Sequence, residues 1–118
     1  MTGEVTIYHN PRCSKSRATL ELLREQGIEP TIVEYLKAPP SQAELARILD
    51  MLGMAPRELM RSKEVEYQEQ DLDNPGLKQK DLVKAMHDTP KLIERPIVVA
   101  NGKAALGRPP EQVLEILD

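Results

Sequence analysis

Two strand-like runs joined through one helix occupy the first 35 residues, and this arrangement limits the fold more than any other feature of the chain. Val5-Thr6-Ile7-Tyr8 reads as a short strand that Asn10-Pro11 breaks. A helical pattern then runs from about Ser14 to Gln26, where Gly27 stops it. Ala18, Thr19, Leu22 and Leu23 give that helix a stripe to bury. Pro30 to Tyr35 reads as a second strand. Strands connected through a helix pair in parallel with a right-handed crossover, so the class is α/β.

The middle of the chain changes period. Ser41-Gln42-Ala43-Glu44 matches a capping box, and Leu45, Ile48, Leu49 and Leu52 follow at helical spacing until Gly53. A helical insert is predicted over about 41–93. It holds a short helix near Pro56 to Met60, a polar stretch from Asp71 to Gly76, and a helix carrying Leu82, Ala85 and Met86. Strand character returns at Ile97-Val98-Val99-Ala100. Asn101-Gly102 then suits the positive φ angles of a type I′ turn before Lys103-Ala104-Ala105-Leu106. A last helix is expected after Pro109-Pro110, burying Val113, Leu114 and Leu117. The order β-α-β, helical insert, β-β-α is that of a thioredoxin-like fold with a mixed four-stranded sheet. A single domain over residues 1–118 is expected, the insert falling between strands 2 and 3. In that fold a reactive cysteine after the first strand faces a proline that opens the third, and Pro96, preceded by Arg95, stands there.

The lone cysteine, Cys13, lies in the run His9-Asn10-Pro11-Arg12-Cys13-Ser14-Lys15-Ser16-Arg17, where strand gives way to helix. A helix N-terminus offers unpaired N–H groups and a positive partial charge, which favour a thiolate and any oxyanion brought to it. Free cysteine is more often inert packing. Here the Asn-Pro break before it and the charged or hydroxyl residues after it describe an exposed turn. Helix-end effects of about 0.3–1 kcal/mol, up to about 2, move a thiol by roughly one pKa unit. Stronger activation requires cations, for which Arg12, Lys15 and Arg17 are the candidates. For His9 three roles stand open: orienting the loop, polarising the thiol, or hydrogen-bonding backbone at the strand end. His87, near a helix C-terminus, reads as a solvent-facing or dipole-facing residue.

Other chemistries are excluded by residue type and spacing. A net charge of −3, with three tyrosines and neither Phe nor Trp, argues against nucleic-acid binding. No basic leader and no long apolar run is present, so a cytoplasmic protein without membrane association is expected. One cysteine and two histidines cannot form an intrachain disulfide and make a zinc cage implausible, so no metal is expected. A tyrosine-phosphatase-type loop needs arginine at position 19, which is threonine here, and Arg17 comes two residues early. The glycine patterns of a P-loop and of a dinucleotide fold are missing. The fourth place of Cys13-Ser14-Lys15-Ser16 is serine, so any disulfide must form with an outside thiol. Among sixteen Lys and Arg residues, three stand out by context: Arg61 ends a short helix, Arg95 precedes Pro96, and Arg108 sits between Gly107 and Pro109. Such planar bidentate donors suit a tetrahedral oxyanion.

Taken together, His9-Asn10-Pro11 with Cys13, Ser16-Arg17, Arg61, Arg95-Pro96-Ile97-Val98 and Gly107-Arg108-Pro109 closely resemble the glutaredoxin-coupled arsenate reductase family along essentially the whole chain. The resemblance implies that Cys13 is the nucleophile and that Arg61, Arg95 and Arg108 bind the oxyanion, with His9, Ser16, Arg17 and Pro96 in support. It implies a cis bond at Arg95-Pro96, arsenate as substrate, glutathione as co-substrate, glutaredoxin as partner, and no bound cofactor. A monomer is expected. Arg12, Ser14 and Lys15 depart from the small residue and glycine-threonine that flank the cysteine in well-studied members. Two other functions remain for a chain of this kind. One is a redox-sensing adaptor like the regulators of this fold that contact RNA polymerase, although Ser16 removes their Cys-x-x-Cys switch. The other is a general glutathione-dependent monothiol exchanger, which would not need the three arginines.

Overall fold

In the computed structural model, which describes residues 4–117, four short strands form one mixed sheet in the order β2-β1-β3-β4. Strands β1 (Thr6–His9) and β2 (Thr31–Glu34) run parallel, pairing Thr6 with Thr31 through His9 with Glu34. Strand β3 (Ile97–Ala100) lies antiparallel to β1, and β4 (Lys103–Leu106) antiparallel to β3. Asn101 (φ 56°) and Gly102 (φ 72°) close that hairpin with the two left-handed residues a type I′ turn requires. The Asn101 side-chain amide also donates to the Ile116 carbonyl at 2.9 Å.

Contacts divide the chain into two compact units, one made of residues 1–38 and 95–118 and the other of residues 39–94. The first holds the sheet, helix α1 (Ser14–Glu25) and a C-terminal 3-10 helix, Pro110–Ile116. Its core joins Val5 and Ile7 of the first strand region, Leu20 and Leu23 of α1, Val98 of β3, and Val113 and Ile116 of the last helix. The thioredoxin-like reading of the strand and helix order is the architecture observed.

Helix α1 buries a face shifted from the stripe read in the sequence, keeping Thr19 and Leu23 and replacing Ala18 and Leu22 with Ser16 and Leu20. Ser16, Thr19, Leu20 and Leu23 are buried, whereas Ala18 is exposed and Leu22 half-buried. The buried set follows the i, i+3, i+4, i+7 spacing of a core-facing stripe, but two of its members are polar. Local hydrogen bonds explain the rotation. The Ser16 hydroxyl is drawn inward by His9 and Asn10, and the Thr19 hydroxyl donates to the Lys15 carbonyl at 2.8 Å. The last helix shows a similar shift, with Val113, Ile116 and Leu117 buried and Leu114 only half-buried.

The second unit is helical: α2 (Gln42–Leu52), α3 (Val65–Glu69) and α4 (Gln79–Asp88), with 3-10 turns at Pro56–Leu59 and Pro90–Leu92. The capping box forms, with the Glu44 N–H donating to Ser41 Oγ and the Ser41 N–H to Glu44 Oε1, each at 3.1 Å. Gly53, at φ 68°, ends α2 in the left-handed conformation that glycine adopts most readily. Helix α3 and the turn at Pro90–Leu92 are additions to the elements read from the sequence. An antiparallel bridge between Met60 and Ile93 ties the start and end of this unit, with Arg61 N donating to Leu92 O at 2.7 Å and Glu94 N to Leu59 O at 2.8 Å. His87 is no solvent residue: its Nδ1 bonds the Pro40 carbonyl at 2.8 Å and fastens the end of α4 to the segment before α2.

Among the described residues no helix is long and apolar enough to cross a membrane, and no group of three or more His, Cys, Asp or Glu could hold a metal ion.

Candidate active site

β1 ends at His9, and residues 10–13 turn the chain into α1. The turn is closed by the Cys13 N–H donating to the Asn10 carbonyl at 3.0 Å and by the Arg12 N–H donating to Asn10 Oδ1 at 3.0 Å. Arg17 Nη1 returns from the first turn of the helix to the Pro11 carbonyl at 2.9 Å. The first two bonds close the turn and the third ties it to the helix, so backbone and neighbouring side chains hold the position of Cys13.

Cys13 occupies the N-cap of α1 and is buried, with 9% of its surface exposed. This corrects the exposed turn expected from the flanking residues. Pro11, Arg12, Ser14 and Lys15 do face solvent, but the N-cap position swings Cys13 inward from among them. Burial pushes the thiol up. The Ser16 N–H, the charge and hydrogen bond of Arg95, and the Lys15 N–H oppose this and hold it below its ordinary value. The neutral thiol does not cap the helix as a hydroxyl would; those N–H groups favour the charged sulfur.

The activating cation is therefore Arg95, not the local Arg12, Lys15 and Arg17 picked out by proximity in sequence. Lys15 contributes through its backbone N–H, and Arg17 spends its guanidinium on the loop. Arg95 arrives from the start of β3 through a cis Arg95-Pro96 bond. Its carbonyl accepts Arg108 Nη1 at 3.0 Å, which joins two of the three expected oxyanion-binding arginines. Arg108-Pro109 is also cis, a feature that the residue pattern did not disclose. Pro96 is buried, and its carbonyl accepts the Gly107 N–H at 3.0 Å. Arg61 belongs to the helical unit, where Nη1 pairs with Glu64 Oε2 at 2.9 Å and Lys91 Nζ holds the other Glu64 oxygen at 3.4 Å.

Of the roles open for His9, the structure selects the loop. His9 is 6% exposed, and its Nδ1 lies 2.6 Å from Ser16 Oγ, which also accepts the Asn10 N–H at 3.0 Å. Burial lowers the His9 pKa, with Arg24 and Arg17 adding to the effect and Glu34 opposing it. The ring is thus neutral near pH 7, and the Ser16 hydroxyl links strand end, loop and helix. Because folding depresses this histidine, its contribution to stability is complete above about pH 6.5 and fades as pH falls through the folded value. Urea unfolding midpoints should drop between about pH 7.5 and 5.5. His9→Gln should flatten that drop, and equal slopes in the two proteins would refute the assignment.

Two further residues shape the site: Gly107, marked in the sequence only as part of the Gly107-Arg108-Pro109 motif, and Thr19, marked only as part of the α1 stripe. A Cβ at Gly107 would lie 2.8 Å from Pro96 Cγ and would also collide with the Thr19 side chain. Glycine here lets the loop after β4 sit against both. Thr19 is fully buried beneath that contact.

A thioredoxin-like domain with one recessed cysteine at a helix N-terminus, an arginine beside it and no second cysteine defines a class: single-thiol members of this fold, in which no intrachain disulfide can form. Within that class the chain belongs to the ArsC family, which it matches over residues 8–116. It is 60% identical over 118 residues to the uncharacterized protein YfgD of Escherichia coli K12, covering 99% of each chain. An arsenate reductase of Neisseria meningitidis serogroup A is 53% identical over 115 residues, covering 97% of this chain and 98% of that one. Among solved structures, an arsenate reductase from Vibrio cholerae superposes with a TM-score of 0.94 at 56% identity, covering 97% of this chain and 98% of that one.

Proposed function

We propose that this chain is an arsenate reductase that uses glutathione and glutaredoxin. The observation that carries the reading is the Cys13 thiol at the N-cap of α1, held below its ordinary pKa by the Ser16 N–H and by the charge of Arg95, in a chain without a resolving cysteine. Near-full-length likeness to proteins named arsenate reductase supports the choice of anion. The Cys13 thiolate attacks arsenic(V), forming a sulfur–arsenic bond while an arsenate oxygen leaves as water. Arg95 and Arg108 offset the oxyanion charge as it is redistributed. Glutathione thiolate then attacks the Cys13 sulfur. The sulfur–arsenic bond breaks, its electron pair stays with arsenic, arsenite departs, and the two sulfurs share a disulfide. Glutaredoxin resolves that mixed disulfide by thiol exchange and restores Cys13.

Arsenite release measured with glutathione and glutaredoxin should depend on arsenate and vanish in Cys13→Ser. Turnover that survives Cys13→Ser would refute the proposal. So would Cys13-dependent thiol exchange without any arsenite, which would make the protein a general monothiol exchanger.

A further inference from the structure

Beside the Cys13 turn lies a groove of about 380 Å³ walled by His9, Asn10, Pro11 and Arg12 on one side and by Glu34, Leu36 and Lys37 on the other. Its volume falls in the range of roughly 300–1,000 Å³ common for small-ligand sites. The first wall is the same turn that ends at the nucleophile. Asn10 accepts the N–H groups of both Arg12 and Cys13, so groove and thiol are held in one piece of backbone. The second wall comes from the end of β2, where Glu34 is the register partner of His9.

The charges in this groove have mixed sign. Arg12 and Lys37 are cations, Glu34 is an anion, and the half-exposed Leu36 adds apolar surface. Lys37 Nζ sits 3.7 Å from Glu34 Oε1, with side-chain exposures of 81% and 45%. Pairs so exposed and so loosely spaced hold weakly, and a ligand carrying both charges can replace each partner. A bare oxyanion would be repelled by Glu34. A ligand presenting a carboxylate, an ammonium and a short methylene chain matches all three elements.

We propose that this groove binds the γ-glutamyl end of glutathione, with Glu34 taking its ammonium group and Arg12 and Lys37 its carboxylate, so that the thiol is delivered to Cys13. The assignment rests on the reading that an outside thiol regenerates Cys13, but it does not require arsenate. It would give the two substrates different residues, the oxyanion the arginines and the reductant the lining of this groove.

The test uses disulfide exchange on the full chain. Cys13 thiolate attacks one sulfur of glutathione disulfide, the old S–S bond breaks, and one glutathione leaves as a thiolate that takes up a proton. Rates of mixed-disulfide formation are followed by mass, once with glutathione disulfide and once with uncharged hydroxyethyl disulfide. Their ratio cancels any change in the reactivity of Cys13 itself. In Glu34→Gln the ratio should fall about tenfold, as expected for loss of a charged hydrogen bond. Glutathione disulfide is anionic, so a general field effect predicts the opposite sign, and a ratio that rises or stays level overturns the proposal. Lys37→Ala should also lower the ratio. If the ratio falls in both variants while arsenite release is absent, the groove stands and the arsenate reading fails. If arsenite release is intact and the KM for glutathione is unmoved in Glu34→Gln, the groove fails and the arsenate reading stands.

Discussion

Replacing Arg95 with alanine should lower arsenite release by about 100- to 1,000-fold, the effect of removing a donor worth about 2.7–4 kcal/mol to a developing oxyanion. The same change should raise the pH at which Cys13 alkylates. Arg95 supplies both a charge and a hydrogen bond to the sulfur, and without them burial acts against the backbone N–H groups alone. Arg95→Lys separates the two duties. An ammonium restores part of the electrostatic stabilisation of the thiolate but lacks the planar fork that grips an oxyanion. Its alkylation midpoint should therefore return toward that of the native protein while turnover stays low. A midpoint and a rate both unchanged in Arg95→Ala would remove Arg95 from the site.

Gly107→Ala should destabilise the protein by about 1–3 kcal/mol, the range seen when a methyl is forced into filled space. The added carbon would be 2.8 Å from Pro96 Cγ and would press on Thr19, whose hydroxyl is engaged by the Lys15 carbonyl. Neither neighbour is the free end of a flexible side chain. Denaturant unfolding measures the loss. Thr19→Ala in the same chain should recover part of it, a coupling expected of residues that share one contact. Additive effects of the two changes would show that the strain lies elsewhere. Because Pro96 adjoins Arg95, the Gly107 variant should also perturb the Cys13 alkylation profile.

The sheet was legible because each of its signals is local. Asn101-Gly102 specifies a turn type by its φ angles alone, and Ser41 with Glu44 specifies a helix start by two reciprocal hydrogen bonds. Cys13 stood out through its place between strand and helix. Its true setting did not, since burial and the approach of Arg95 depend on residues some eighty positions away in the chain. Counting nearby cations pointed to Arg12, Lys15 and Arg17, yet the nearest cations in sequence are free to face solvent or grip the loop. The inward face of α1 was misread for a related reason. Thr19 and Leu23 were placed correctly, but Ser16 is a hydroxyl residue whose burial follows from hydrogen bonds that no periodicity of apolar residues can reveal.

The hydroxyl of Ser16 bears on how such a protein can evolve. A dithiol relative would keep its second sulfur at this position, so a change of one codon would seem enough to create a self-resolving enzyme. Yet the oxygen there accepts the Asn10 N–H and bonds His9 from a fully buried position, where a larger sulfur with weaker hydrogen bonds is a poor substitute. The first step toward an internal disulfide would loosen the turn that makes Cys13 reactive. Under the proposed mechanism, dependence on a borrowed thiol is thus reinforced by the architecture, because a cysteine at position 16 would have to replace both hydrogen bonds of the serine.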